Sequence, residues 1–314
     1  MNIRAIARKV LNLVSAPKYY KGNSEQNKQG LQKKRVLKLK SIKESTSLYS
    51  NNKYKKEEEI IDRDGMIIIP NFFPSEILSK INSELEIFEK SNDCGYLPNK
   101  AGYGVDWHTG LPTSKSCPTI HSEFCKNDMI KSLVKHVTNK EVRFFPPVSF
   151  EKLNLPNGKS DNTDINRVVH ADRYYPTIKA VLYLDDVVLE NGPFHYSKGS
   201  HTLNSKRMKF EEMSSYYQGL IKEGRISEVP SSWLVNGRIA PPESEFPEYK
   251  AEPIIGKANT LAIINTCGFH YRGEMEPDYS RKSIRLVFHY VYSNQMAQTL
   301  LGLIDETLPG RYLN

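Results

Sequence analysis

Three side chains in this sequence have the types and spacing of a metal-binding set. His170 and Asp172 stand two residues apart in Asn166-Arg-Val-Val-His-Ala-Asp-Arg-Tyr-Tyr-Pro176, and His270 follows about a hundred residues later. On a strand, residues i and i+2 share a face, so both ends of His-Ala-Asp reach one ion; a helix would send them to different faces. Two imidazoles and one carboxylate, with coordination positions left open, are the donor set of a non-heme iron(II) centre. The same donors also hold catalytic zinc in hydrolases. With eight histidines in the chain, a His-X-Asp triplet arises readily by chance, so the surroundings must carry the assignment.

Those surroundings are rich in short strands. From Glu141 onward the pattern predicts strands at Val142 to Phe145, Ser149 to Leu153, Arg167 to His170, Ile178 to Leu184, Phe194 to Tyr196, Thr260 to Ile264 and Ser283 to Tyr292. Turn signals such as Pro156-Asn-Gly158 and Glu190-Asn-Gly-Pro193 separate them. Many short strands without alternating helices point to an antiparallel sandwich or barrel. Upstream, Asp64-Gly65 reads as a turn and Met66 to Ile69 as a buried strand. Pro74 then starts a helix whose apolar stripe is Ile77, Ile81, Leu85 and Phe88. A second helix is expected over Asn127 to Thr138, and residues 93 to 118 read as an irregular aromatic loop carrying Tyr96, Tyr103, Trp107 and His108. Residues 202 to 250 interrupt the strands with a helix near Lys206 to Ile221 and a Pro- and Ser-rich excursion, expected as a lid or substrate-selecting insertion.

Taken in order, the Asp64-Gly opening, the strand Leu182-Tyr-Leu-Asp-Asp186, the Asn191-Gly-Pro turn, Gly199-Ser-His201, and His270 trailed by Arg281 closely resemble the phytanoyl-CoA dioxygenase family. The resemblance spans roughly Asp64 to Tyr292. It implies a mainly β chain with flanking helices, a double-stranded β-helix of the jelly-roll, cupin-like kind with helices packed on one sheet. It also implies an iron(II)- and 2-oxoglutarate-dependent dioxygenase that hydroxylates a small molecule, lipid or glycan-type substrate and releases succinate and carbon dioxide. By the same resemblance, His170, Asp172 and His270 are the iron ligands, and dioxygen takes a remaining position. Arg281 matches the arginine that pairs with the distal carboxylate of 2-oxoglutarate, and Ser283 falls where a hydroxyl joins that contact. A guanidinium fork suits a confined carboxylate. Arg285 shares a strand face with both and is a rival anchor. Related halogenating enzymes lack the carboxylate that Asp172 supplies, so its presence favours hydroxylation or desaturation.

Trp107, His108, Lys179 and Tyr183 are candidate substrate contacts, the last two by alternation with Ala180 and Leu182 toward a barrel interior. His195, His201 and His289 read as structural histidines. Two other readings compete with the oxygenase. A cupin-like binding module without activity has no need to keep all three ligands, and a metal-dependent hydrolase has no use for Arg281.

Composition adds bounds. The net charge of +8 is unevenly placed: residues 1 to 56 hold 15 Lys/Arg against Glu25 and Glu44, a balance of +13, and the rest of the chain carries −5. Basicity therefore belongs to an appendage, and no nucleic-acid partner is expected. Ile3, Ile6, Val10, Leu13 and Val14, with Arg4, Arg8 and Lys9 between them, make residues 1 to 16 a basic amphipathic helix, which reads as a helix docked on its own domain or a frayed leader, as a peripheral contact with an anionic membrane, or as a mitochondrial presequence. A solvated linker is expected to follow, so that residues 1 to 58 form an extension and 59 to 314 the oxygenase domain. Four scattered cysteines without a CxxC pair suit a reducing compartment. Neither a signal peptide nor a membrane span is evident, so a cytoplasmic location is expected. The sequence carries no signal for an oligomeric state.

Overall fold

A computed structural model describes residues 22–45, 50–97, 106–142, 146, 148–155 and 164–288. The amphipathic segment 1–16, the strand residues 143–145, the 156–158 turn, Tyr103, His289 and the end of the last predicted strand lie outside the described residues.

Twelve strands are described, in two principal antiparallel sheets and one small hairpin. The large sheet joins seven: β1 (Met66–Ile69), β2 (Cys94–Leu97), β3 (Asp106–Gly110), β4 (Ser149–Asn154), β5 (Ile178–Tyr183), β10 (Leu261–Asn265) and β12 (Ser280–Val287), in the order β1-β10-β5-β12-β4-β3-β2. The small sheet is β11-β6-β9, made of β6 (Phe194–Tyr196), β9 (Glu252–Ile254) and β11 (His270–Arg272). The hairpin joins β7 (Leu234–Val235) to β8 (Arg238–Ile239). Residues 93 to 118, expected to be irregular, supply β2 and β3, which extend the large sheet. Too few apolar residues mark those strands for alternation to show.

Burial follows from alternation. Ile178, Ala180 and Leu182 of β5 and Ile284 and Leu286 of β12 point to one face, all fully buried. They pack with Ile81, Leu85 and Phe88 of the helix Ser75–Glu89 and with Leu133 and Val134 of the helix Asp128–Thr138. The latter helix begins where the Asn127 side chain accepts from the N–H groups of Met129 and Ile130. The opposite face meets the small sheet through Met66, Tyr183, Tyr196, Ile254 and Ile264. A sandwich with helices on one sheet results, as expected.

The amino-terminal side departs from the expected solvated linker. Residues Ser24–Lys28 form helix α1 and Leu31–Ser45 form α2; α3 covers Lys55–Asp64 and so crosses the boundary expected at residue 58. With α4 (Ser75–Glu89) and α5 (Asp128–Thr138) next in order, α6 is the insertion helix Ser205–Lys222. The first two helices strap onto α6: the N–H and hydroxyl of Ser24 both donate to the Glu223 carboxylate at 2.7 Å, and the Gln32 amide donates to Glu211 at 3.1 Å. A Cβ at Gly219 would stand 2.6 Å from the Ser24 nitrogen, so the helices approach this closely because glycine is there. Polar contacts and a small apolar cluster hold the strap, with Val36 and Leu39 against Tyr174, Tyr175, Leu203 and Met208. So small an apolar contact gives hydrophobic periodicity little to detect.

The rest of the 202–250 excursion packs its own aromatic core of Phe210, Tyr217, Trp233 and Phe246 against Phe269. Arg207, fully buried, ties it down by donating to the backbone carbonyls of Ser200 and Cys267 at 2.7 and 2.6 Å and pairing with Glu211 at 2.8 Å. The segment is a fixed platform behind the His-Ala-Asp segment, with Val169 and Ala171 packed on its core.

Candidate metal centre

The His-Ala-Asp segment is not the regular strand its sequence predicts. Ile165–Arg167 is a single 3-10 turn capped by Asp164, and His170 makes one antiparallel bridge to His270 with N–H to carbonyl distances of 3.0 and 2.8 Å. Two residues on, the Asp172 N–H donates to the Thr266 carbonyl at 2.9 Å. Bonding alternate residues to the neighbouring segment does the work expected of the strand and keeps both side chains on one side.

One ligand atom each from His170, Asp172 and His270 lies within 4.8 Å of the others. Asp172 Oδ1 is 3.8 Å from His170 Nε2 and 3.6 Å from His270 Nε2. Each imidazole is turned by its other nitrogen: Nδ1 of His170 lies 2.7 Å from the Val168 carbonyl, and Nδ1 of His270 lies 2.9 Å from the Gly268 carbonyl. Those carbonyls require Nδ1–H, which leaves the Nε2 lone pairs for a ligand. Phe194 stacks on His270 with ring centres 5.0 Å apart, narrowing its freedom further. His270 is 2% exposed, and its Nε2 has no hydrogen-bond partner among the described residues. A buried acceptor without a partner costs about 1–3 kcal/mol, and a divalent ion would satisfy it. Burial first, and His270 second, hold the His170 imidazole well below its ordinary pKa, so it is neutral and able to ligate at neutral pH. The donor set therefore fits a divalent metal.

Beside the histidines opens a cavity of about 220 Å³ that also meets Glu151, Asp164, Lys179, Arg272, Arg281 and Arg285. Three of the four cations are matched. Arg285 meets Glu151, Arg272 meets Asp164 and Lys179 meets Asp172, each at 2.6 Å. Arg281 has no carboxylate partner among the described residues; its guanidinium donates to the Gly192 carbonyl. Burial draws its pKa below the usual value, as expected for a cation removed from water. Gly192 belongs to the Glu190-Asn-Gly-Pro193 turn and has φ +63, and a Cβ there would sit 2.9 Å from an Arg272 nitrogen. The glycine lets the turn close over both arginines.

The remaining expected contacts divide. Ser283 is buried on the same strand face as Arg281 and Arg285, opposite Glu151 and Tyr183 in the register. Tyr183 is 1% exposed and donates to the Ile254 carbonyl at 3.0 Å, with burial pushing its pKa up to about 12; it is a structural residue between the sheets rather than a cavity wall. His108 also belongs elsewhere. It lies opposite Lys152, which lies opposite Lys282, and both lysines reach Glu89 on the helical side of the sheet. Trp107 holds the other parity, opposite Leu153 and through it Arg281.

Sequence reasoning missed Glu151, Asp164 and Arg272. Two of them carried a signal: Arg272 is i+2 from His270 on one strand, and Glu151 interrupts β4 at the parity of Ser149 and Leu153. Asp164 carried none, because it reaches Arg272 from a turn.

No model of a known protein family matches the chain. A segment of 81 residues, 24% of this chain, is 30% identical to the iron/alpha-ketoglutarate-dependent dioxygenase okaE of Penicillium ochrochloron. It covers 26% of that protein, so the match spans about a quarter of the relative's length. Among solved structures, the non-heme alpha ketoglutarate dependent epimerase SnoN from nogalamycin biosynthesis superposes with a TM-score of 0.51 at 15% identity, covering 75% of this chain and 82% of SnoN. The carbocyclase SnoK from the same biosynthesis gives 0.50 at 16% identity, covering 86% of this chain and 94% of SnoK. The chain has the double-stranded β-helix fold of these enzymes. No described helix is long and apolar enough to cross a membrane.

Proposed function

We propose that this protein is an iron(II)- and 2-oxoglutarate-dependent oxygenase of the phytanoyl-CoA dioxygenase type, hydroxylating a small-molecule, lipid or glycan-type substrate. The observation that carries the reading is a conjunction: a buried His-Asp-His set with an unsatisfied Nε2, opening into a cavity whose one unmatched cation among the described residues is Arg281. A hydrolytic metal site needs the first feature and not the second. The short match to okaE and the folds of SnoN and SnoK, all named as 2-oxoglutarate-dependent enzymes, support the same reading.

In this reading His170, Asp172 and His270 hold iron(II) through one atom each and leave positions open for co-substrate and dioxygen. Bound there, iron with 2-oxoglutarate and dioxygen supplies the power to oxidise a C–H bond as the keto acid becomes succinate and carbon dioxide. The chain's own work is placement. The Val168 and Gly268 carbonyls fix the imidazoles before any metal arrives, and Phe194 shields one of them from water. Arg281 offers the remaining guanidinium N–H groups to the distal carboxylate of the co-substrate. Arg285 is the weaker choice of anchor, because Glu151 already balances its charge at 2.6 Å and the Ser149 hydroxyl accepts from its Nε.

Anaerobic addition of iron(II) and then 2-oxoglutarate tests the proposal. A visible metal-to-ligand charge-transfer band is expected only when the keto acid chelates the bound iron, and its absence in the intact protein would refute the oxygenase reading.

A further inference from the structure

We infer that Lys179 is the positioning residue that makes Asp172 a one-oxygen ligand, an inference that rests on the metal-site reading above. Asp172 presents its two oxygens to different partners. Oδ1 faces the Nε2 atoms of His170 and His270 at 3.8 and 3.6 Å, whereas Oδ2 lies 2.6 Å from Lys179 Nζ. At that distance the ammonium and Oδ2 form a close ion pair whose angle does not make it a hydrogen bond, so the attraction that holds this oxygen is Coulombic. Both side chains are less than a fifth exposed, at 17% and 18%, so solvent screens the pair less than it does a surface ion pair.

The backbone holds the two residues at this separation. Asp172 N–H donates to the Thr266 carbonyl at 2.9 Å, Thr266 N–H donates to the Thr177 carbonyl at 2.7 Å, and the two threonine hydroxyls lie 2.8 Å apart. Lys179 stands two residues beyond Thr177 on β5, in register with Ile264 on one side and Val287 on the other. Its parity is that of Tyr183, toward the small sheet, while Ile178 and Ala180 face the helices. A chain of short bonds from 172 through 266 to 177 thus sets the carboxylate against the lysine stem. The contact is built by the fold rather than by two flexible side chains meeting.

The chemical consequence is denticity. A carboxylate free to swing can ligate with both oxygens and so fill an extra coordination position. With Oδ2 held by Lys179, each protein ligand supplies one atom, which keeps open the positions that a chelating keto acid and dioxygen together need. Lys179 also offsets the carboxylate charge, leaving the centre more positive toward a dianionic co-substrate.

Titrating the metal-free protein with cobalt(II) under anaerobic conditions, followed by ligand-field absorption, reads affinity and coordination without turnover. Lys179→Met is expected to weaken cobalt binding by about 10–100-fold, the range typical of losing a group that orients a ligand, and to change the spectrum. Lys179→Arg, which keeps the cation, is expected to restore both. Circular dichroism checks that the Met variant folds; should it not, Lys179→Gln replaces it. Unchanged cobalt affinity and spectrum in a folded Lys179→Met protein, with weaker 2-oxoglutarate binding, would make Lys179 a co-substrate anchor and overturn the inference. Asp172→Ala in parallel separates the two levels. Cobalt uptake that survives in Asp172→Ala sinks the metal-site reading itself, whereas uptake lost there and unchanged in Lys179→Met sinks only the role of Lys179.

Discussion

The two faces of the large sheet are made by the same strands and obey opposite rules. On the helical face, Ile178, Ala180, Leu182, Ile284 and Leu286 are fully buried among apolar neighbours. On the other face, one residue along in each case, stand Lys179, Arg281, Ser283 and Arg285, with Glu151 opposite Ser283. The first face lowers the free energy of the fold by removing apolar surface from water. The second is divided: Met66, Tyr183 and Ile264 bury apolar surface against the small sheet, while beside the cavity Lys179 and Arg285 are tolerated because Asp172 and Glu151 match their charge. The lesson is that neighbouring positions of one strand can divide stability from chemistry, so that substitutions at Leu182 and at Arg281 should report on one and spare the other.

Four variants test that separation. The largest effect is expected from Asp172→Ala, which should abolish succinate release while the protein still unfolds as one cooperative unit; loss of folding instead would erase the distinction between the faces. Next, Arg281→Ala should weaken 2-oxoglutarate binding by about 2–5 kcal/mol, the usual cost of truncating one partner of a buried charge pair, measured by titrating the charge-transfer band. On the opposite face, Leu182→Ala should cost about 2–5 kcal/mol of stability in denaturant unfolding and leave co-substrate affinity in the folded protein unchanged. The smallest effect belongs to replacing a matched pair together: Arg285→Met with Glu151→Leu should be near neutral in stability, since apolar replacements of buried ion pairs often are. Its 2-oxoglutarate affinity should also hold. A collapse of that affinity would transfer the anchor from Arg281 to Arg285.

How legible this was in the sequence depended on the kind of force involved. The apolar face was readable, because period-2 alternation in Ile178-Lys-Ala-Val-Leu-Tyr183 and the stripe Ile81, Leu85, Phe88 state it directly, and the structure places β5 and α4 there. The donor triplet was also readable, although its expected strand is one bridge flanked by a 3-10 turn. A ligand pair needs only its alternation, which three backbone bonds supply. The polar pairings were not readable. Asp164 with Arg272, Glu151 with Arg285 and Gln32 with Glu211 join residues far apart in the chain, and no local pattern encodes who meets whom. Trp107 and His108 could not be told apart as candidate contacts for a related reason. Without the register of β3 against β4, nothing in the sequence says that His108 lies opposite Lys152 and on the parity of the helical side.

The strap of α1 on α6 has a consequence in time. Ser24 meets Glu223 across 199 positions of chain, and β1 likewise finds its partner only when β10 exists. At about 5–20 residues per second of synthesis, the segment carrying Ser24 waits on the order of 10–40 s before its seat on α6 leaves the ribosome. His270 and Arg281 emerge later still. The helix carrying Ser24 is therefore made well before the element that seats it, and its contact with Glu223 can form only after 199 further residues have been added.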